Sequence, residues 1–491
     1  MPPADATEAR QVLPRVLGPL AALSCIVGSV IGSGIFITPS RIAANVPYVG
    51  GIALVWVVGG LFSLAGALTL AELGAMLPQA GGPYVYLREA YGRLPAFLFG
   101  WSEFLVIRSG SVATLAVGFA LYFTQLVPAP AGMRPEVWGT SVAVAAMITV
   151  AAINVVGTRV GGGVQVVGTA IKVAALAAMI VLPFVLGEVD PARLAPAWPR
   201  PGTPGLLDGF LVALIGALWS YDGWTNVGAL AEDFEDPGRN IPLALFRGMG
   251  ILIAIYLGMT LVYHLVLPID DVIRASGSPG TRQVADEFCH RIWGTRGSTA
   301  IALIVMTSIY IALNGQALSG PRAYFAMARD GLFPASLSAL HPRFRTPANA
   351  IVVQTLWAIA LTVVGTAFIL VEPPATGLPP LVRSAWARLH AKPLYDVLYT
   401  YVIFGGTIFY TAAIAGVFVL RRTRPDLPRP YRTWGYPVTP ALYILASLIL
   451  MASMLKESTG DSLAGLGIIL LGLPAYLFFT RRGPAPASPA D

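Results

Sequence analysis

The sequence predicts an all-α polytopic membrane protein of about twelve transmembrane helices, with the first and sixth spans broken at mid-length. Three observations lead there. Of the 491 residues, 56% are hydrophobic and only 12% are charged, with a mean hydropathy of +0.70, whereas soluble domains carry roughly 25% charged residues. The apolar residues fall into runs long enough to cross a bilayer, which takes roughly 20 residues each. Two of those runs are interrupted by residues that weaken a helix.

Apolar runs, read against glycine, proline and charge, place spans near 17–42, 50–77, 95–127, 137–156, 164–187 and 207–232 in the first half. The second half gives 241–268, 297–328, 347–371, 394–420, 438–456 and 462–480. Residues 1–14 form a polar N-terminal segment, and no cleavable signal peptide is read there. The first span contains Ile31-Gly32-Ser33-Gly34-Ile35-Phe36. Two glycines and a serine loosen the hydrogen-bond ladder in mid-span. Backbone groups freed there must face protein, water or a ligand, never lipid. A half-helix N-terminus carries partial positive charge and unpaired donors, which suits a carboxylate. Close helix packing is the structural alternative for a Gly-Ser-Gly step.

Between spans 2 and 3, Gly81-Gly82-Pro83-Tyr84-Val85-Tyr86-Leu87 through Gly92 reads as a short interfacial helix on the cytoplasmic side. Span 3 carries Glu103 and Arg108, read as a buried structural pair with a transport-pathway group as the alternative, and span 5 carries Lys172. Span 6 reads Leu218-Trp219-Ser220-Tyr221-Asp222-Gly223-Trp224-Thr225-Asn226, with Asp222-Gly223 a turn signal inside an apolar helix. Broken spans five apart, each opening one half of the chain, point to an inverted-repeat transporter with a site at the membrane midplane. The connection 372–393 is Pro-rich and then carries Arg383, Trp386, Arg388 and His390; it reads as a solvated insertion, with an external cap as the alternative. The domain division is an N-terminal segment 1–14 and a core 15–420, with repeats 15–187 and 207–420. A basic loop with helices 11 and 12 follows over 421–480, then a disordered Pro- and Ala-rich tail over 481–491.

Arginines gather at Arg343, Arg345, Arg421, Arg422, Arg424, Arg429, Arg432, Arg481 and Arg482, while Glu188, Asp190, Asp270, Asp271, Asp286 and Glu287 fall in the opposite loops. By the positive-inside rule both termini are cytoplasmic, in a cell (inner) membrane. The same rule accounts for the net charge of +7 without nucleic acid. Cys25, in the first span, and Cys289, assigned to a loop, do not suggest a disulfide framework. No zinc motif, phosphate-binding loop or nucleophile elbow is present, so neither an enzyme nor a cofactor or metal is expected.

Six motifs in order resemble the amino acid–polyamine–organocation superfamily, and within it the L-type amino acid transporters. Gly28-Ser29-Val30-Ile31-Gly32-Ser33-Gly34-Ile35-Phe36 with Thr38-Pro39 resembles the first-helix signature, and Gly81-Gly82-Pro83-Tyr84 the first cytoplasmic loop. Trp101 to Arg108 resembles the third helix, and Tyr221-Asp222-Gly223-Trp224 with Glu232-Asp233 and Asp236-Pro237 to Pro242 the sixth helix and its exit. Arg322 with Ala328-Arg329-Asp330-Gly331 and Arg345-Thr346-Pro347 resembles helix 8 and its loop, and Leu420-Arg421 to Pro430 the loop after helix 10. The resemblance runs from about residue 16 to 480. It implies a LeuT-like 5+5 inverted repeat plus two peripheral helices, alternating access, and amino acid transport, often by exchange. Ser109 departs from it where many members have proline, and the insertion at 372–393 exceeds the usual loop. Residues 126–136 contain no cysteine, so no disulfide-linked heavy subunit is expected and the chain reads as a stand-alone prokaryotic-style carrier whose partners are its substrate and membrane lipid.

The substrate-binding residues expected are Val30, Ile31, Gly32, Ser33, Gly34, Trp219, Ser220 and Asp222. Donors from Gly32, Ser33 and Gly34 suit a carboxylate, and carbonyls of Val30, Trp219, Ser220 and Asp222 suit an ammonium. The resemblance makes Trp219 the aromatic gate. It also places Lys172 where an ammonium replaces the sodium ion of sodium-coupled relatives, near the matching hydroxyl of Ser308, as the coupling pair. Asp222 either attracts a cationic substrate, titrates during transport, or caps the second half of helix 6. Gly405 and Gly406 in span 10 would leave room for a bulky apolar side chain. The expected function is secondary-active, sodium-independent transport of neutral L-amino acids by exchange or proton coupling. The alternatives are a cationic amino acid or polyamine transporter and, from another class, a non-transporting amino acid sensor.

Overall fold

A computed structural model describes residues 13–199, 205–275, 282–372, 383, 386, 390, 394–457 and 459–482. The first span is two helices, α1 (Pro19–Val30) and α2 (Gly34–Asn45), meeting at 42°. α3 (Val49–Met76) returns across the molecule, α4 (Pro83–Tyr91) lies across its end, and α5 (Arg93–Leu126) crosses again. α6 (Pro135–Val156) and α7 (Thr158–Leu186) close the first half. The sixth span is α8 (Leu206–Tyr221) and the single turn α9 (Asn226–Ala229). α10 (Pro237–Val266), α11 (Ile269–Arg274), α12 (Val284–Ser319), α13 (Pro321–Arg329), α14 (Ala348–Leu370) and α15 (Leu394–Thr423) complete the core, with α16 (Val438–Glu457), α17 (Thr459–Leu470) and α18 (Gly472–Arg482) following. Among the described residues, eleven helices are long and apolar enough to cross a membrane, twelve with the bent first pair counted as one span. The chain is therefore an all-helical, multi-pass membrane protein with broken first and sixth spans.

The two broken spans sit at the centre. α1 packs against α7, α10 and α12, and α2 against α8. The face reached by residues 13–18 is called here the N-terminal face. There the strand-like segment before α1 pairs with the exit of the sixth span, Val16 and Leu17 N–H donating to the Asp233 carbonyl at 2.9 and 3.0 Å.

Several elements differ from the sequence reading. α5 holds one π-helical turn, Glu103–Ile107, because the buried Glu103 and Arg108 side chains pair across it. α4 forms where a short interfacial helix was expected, and Tyr84, Val85, Tyr86 and Leu87 turn its aromatic face into the protein, where all four are buried. α12 begins earlier than residue 297, but Gly294, at φ 60° and ψ −143°, breaks it, so the apolar span starts close to the expected place. Cys289 is thereby in a helix rather than a loop, buried and unpaired like Cys25. The last span is split at Leu471. Most of 372–393 and all of 483–491 lie outside the described residues; of the insertion, Trp386 is placed, its indole N–H donating to the carbonyls of Phe368 and Val371 at the end of α14.

Candidate functional site

Local chemistry opens both breaks. The Ile31 N–H still bonds the Val27 carbonyl at 3.0 Å, but the Gly32 N–H turns back onto Val30 at 2.8 Å, a tight step that ends α1. α2 then restarts at Gly34, with the N–H groups of Phe36 and Ile37 reaching back to Ser33. The sixth span ends as Asp222 goes extended (φ −67°, ψ 149°) and Gly223 takes φ +117°, a conformation that favours glycine. The breaks touch: a Cβ on Gly34 would stand 2.6 Å from Ser220 Oγ and 2.7 Å from its Cα, so only glycine allows this approach.

Between the breaks lies a cavity of about 20 Å³. Six of the expected residues line it: Val30, Gly32, Ser33, Gly34, Trp219 and Asp222. Ser29, Ser111, Leu115 and Gln316 complete the wall. The volume suits one water and not an amino acid, so in this conformation the two breaks have closed on each other. Ile31 and Ser220 are buried just outside the wall. α9 starts with Thr225 at its cap position and has no side-chain cap hydrogen bond; Asp222 faces the cavity instead. Trp219 also packs onto Ile403, Phe404 and Met454. Gly405 and Gly406 lie away from the cavity, against Ile107 and Tyr410.

Two carbonyls expected to meet an ammonium already have a donor. The Tyr256 hydroxyl on α10 lies 2.7 Å from the Ser220 carbonyl and 3.2 Å from that of Val30. One hydroxyl proton serves one of them at a time, which leaves the other able to take a ligand donor. No sequence signal singled out this buried tyrosine in an apolar helix.

Lys172 is 1% exposed in the middle of α7. Its ammonium donates to the carbonyls of Gly28 (2.8 Å), Ile31 (2.7 Å) and Ser308 (2.8 Å). Three donors thus meet three main-chain acceptors. Ser308 adds its hydroxyl to the Ile31 carbonyl at 3.0 Å. The end of α1 is in this way joined to α7 and α12. On the same stripe of α7, Gln165 Nε2 and Thr169 Oγ1 both donate to the Ser24 carbonyl at 3.3 Å. Asn314 extends the row by donating to Gln165 Oε1 at 2.8 Å. Gln165, Thr169 and Lys172 stand at i, i+4 and i+7 on one face of an apolar helix, a spacing that the sequence reading did not single out.

From the cavity toward the N-terminal face, charged groups close the path. Arg108 pairs with Glu103 at 2.5 Å and donates to the side chains of Asn226 on α9 and Gln316 on α12. Below it, Arg322 holds Asp233 through two bonds of 3.1 Å and Thr158 Oγ1 at 3.0 Å. Both partners of that pair are buried. Glu232 accepts from the Leu13 N–H (3.0 Å), the Ala80 N–H (2.9 Å) and Arg329 (2.9 Å). Burial alone would raise its carboxyl, but the two backbone donors and Arg329 outweigh that and hold it below the usual range. One carboxylate therefore ties together the N-terminal segment, the loop before α4, and α13.

Comparison with known proteins gives a consistent result. The amino acid permease family matches residues 17–473. Human b(0,+)-type amino acid transporter 1 is 30% identical over 473 residues, covering 96% of this chain and 88% of the relative. The serine/threonine exchanger SteT of Bacillus subtilis (strain 168) is 31% identical over 477 residues, 96% of this chain and 98% of the relative. The mouse large neutral amino acids transporter small subunit 2 is 28% identical over 471 residues, 94% of this chain and 81% of the relative.

Proposed function

Because this chain belongs to the amino acid permease family, a family of membrane transporters and not enzymes, we propose that it carries neutral L-amino acids across the membrane without sodium, by exchange or proton coupling. The observation that carries this reading is Lys172. A fixed ammonium, bonded to three carbonyls across α1, α7 and α12, supplies at that place the positive charge a sodium ion would bring. The N-terminal end of α2 then takes the substrate carboxylate, and the carbonyl released by Tyr256 takes the ammonium. Trp219 covers the substrate. The small size of the cavity, about 20 Å³, supports alternating access: the site is built by moving the broken helices apart, one face at a time. The arginine-rich N-terminal face is cytoplasmic in this reading, and the chain works without a disulfide-linked partner.

Asp222 in the cavity wall favours a second reading, in which the side-chain pocket prefers cationic amino acids. Uptake into liposomes with a panel of labelled neutral and cationic amino acids, with and without internal amino acid, sodium or a pH gradient, tests both. Sodium-independent uptake of neutral substrates is expected. Uptake that requires sodium, or binding without any uptake, overturns the proposal.

A further inference from the structure

Away from the central site, at the N-terminal face, a cleft of about 940 Å³ opens between α3, the start of α10 and the loop after α15. Its volume is within the range of small-molecule sites, roughly 300–1,000 Å³. Its walls combine two chemistries. Leu243, Phe246 and Trp434 are exposed apolar side chains, Trp434 at 77%. Arg239 and Arg247 reach the same cleft, and among the described residues neither guanidinium makes an ion pair. Asp236 lies at the rim, so two positive charges and one negative leave a net positive charge of one.

The position of this cleft relative to lipid follows from α10 itself. The helix has 30 residues, about 45 Å at 1.5 Å per residue, against a hydrocarbon core of about 30 Å. From Gly248 to Tyr263 it contains no charged residue, so hydrocarbon begins beside Arg247. Phe246 immediately precedes Arg247 and Trp434 lines the same cleft, aromatic residues of the kind enriched at membrane boundaries. Arg239, two turns earlier, lies in the headgroup layer. An apolar wall continuous with the acyl region, topped by two unpaired guanidiniums at headgroup depth, complements a single phosphodiester carrying two fatty chains.

We propose that this cleft is a binding site for one anionic phospholipid of the adjoining leaflet, its phosphate held between Arg239 and Arg247 and its chains lying on Leu243 and Phe246. The wall it would touch is connected to the transport core. The Thr433 N–H, next to Trp434, donates to Glu72 of α3 at 2.7 Å, and α10 follows the inner half of the broken sixth span after the short turn Ala231–Asp233.

The test is native mass spectrometry of the full-length protein, delipidated in detergent and then given phosphatidylglycerol, phosphatidylethanolamine or phosphatidylcholine in equal amounts. Retention of one phosphatidylglycerol in preference to the zwitterionic lipids is expected, with about a fivefold contribution from each guanidinium. Arg239→Gln with Arg247→Gln abolishes the preference; both side chains are exposed, so the variant folds. As a control, Arg482→Gln leaves the preference intact. Equal retention of all three lipids, or a preference unchanged in the double variant, overturns the proposal.

Discussion

Lys172 donates to the main-chain carbonyl of Ser308 at 2.8 Å, and the Ser308 hydroxyl donates to the same Ile31 carbonyl that Lys172 holds. The two side chains therefore make one joint at the end of α1, and neither acts alone. Lys172→Ala takes the ammonium from three buried carbonyls, of which that of Ile31 keeps the Ser308 hydroxyl; a buried acceptor that loses its partner costs about 1–3 kcal/mol. At least tenfold slower uptake is expected in liposomes from protein that remains monodisperse, with Ser308→Ala showing a smaller loss. Full transport by Lys172→Ala would remove the joint from the mechanism.

Tyr256 divides one proton between the carbonyls of Val30 and Ser220, one on each broken span. Tyr256→Phe keeps the ring packed against Trp56 and Tyr221 and removes only the hydroxyl. The net value of such a bond, about 0.5–1.5 kcal/mol, corresponds to roughly a two- to tenfold change in substrate KM. An unchanged KM and rate would mean that the hydroxyl is structural.

What the sequence revealed, and what it hid, follows from the range of the interactions involved. The breaks at Gly32–Gly34 and Asp222-Gly223 were legible because loss of a helix is a local property of a few residues. Lys172 was legible because a cation deep in an apolar run is conspicuous by its cost. Tyr256 and Gln316 were not, because a tyrosine or glutamine in a span is common and becomes part of a site only when another helix brings a partner. The same limit applies to α4, whose aromatic residues gave no sign that α15 and its neighbours would cover them. The π turn in α5 depends on the Glu103–Arg108 pair, whose five-residue spacing is no helical neighbour relation.

Trp219 supplies the cavity's one large aromatic wall and also rests on Ile403 and Phe404. If it closes over substrate, Trp219→Ala raises KM by up to about tenfold, in line with the 0.5–1.5 kcal/mol typical of an aromatic contact, and Trp219→Phe recovers most of that. Equal KM in all three proteins, measured by uptake, refutes the gate.

Asp233 and Arg322 pair in full burial between the sixth span's exit and α13. Asp233→Asn leaves a buried guanidinium without its counter-charge, a change that costs about 3–5 kcal/mol in comparable pairs, and favours states in which the N-terminal face has opened. Cys25 on α1 is 1% exposed and serves as a reporter in a Cys289→Ser background. Maleimide labelling of Cys25 several times faster in Asp233→Asn than in the parent is the expected outcome; equal rates would show that the pair does not hold this face shut.

Glu232 predicts a pH dependence of definite sign. Its carboxyl is held below the ordinary range by the N–H groups of Leu13 and Ala80 and by Arg329, against the opposing effect of burial. A carboxylate of that kind stabilises the folded protein fully above its unfolded value of about 4.3, and the contribution disappears as the pH falls through the lower folded value. The thermal midpoint of the parent should therefore exceed that of Glu232→Gln by a constant amount from pH 8 to 5.5, and the gap should close only below about pH 4. Proton coupling, if present, operates near neutral pH, so it would have to reside elsewhere. A gap that closes between pH 7 and 6 would show instead that the Glu232 cluster itself titrates in the transport range.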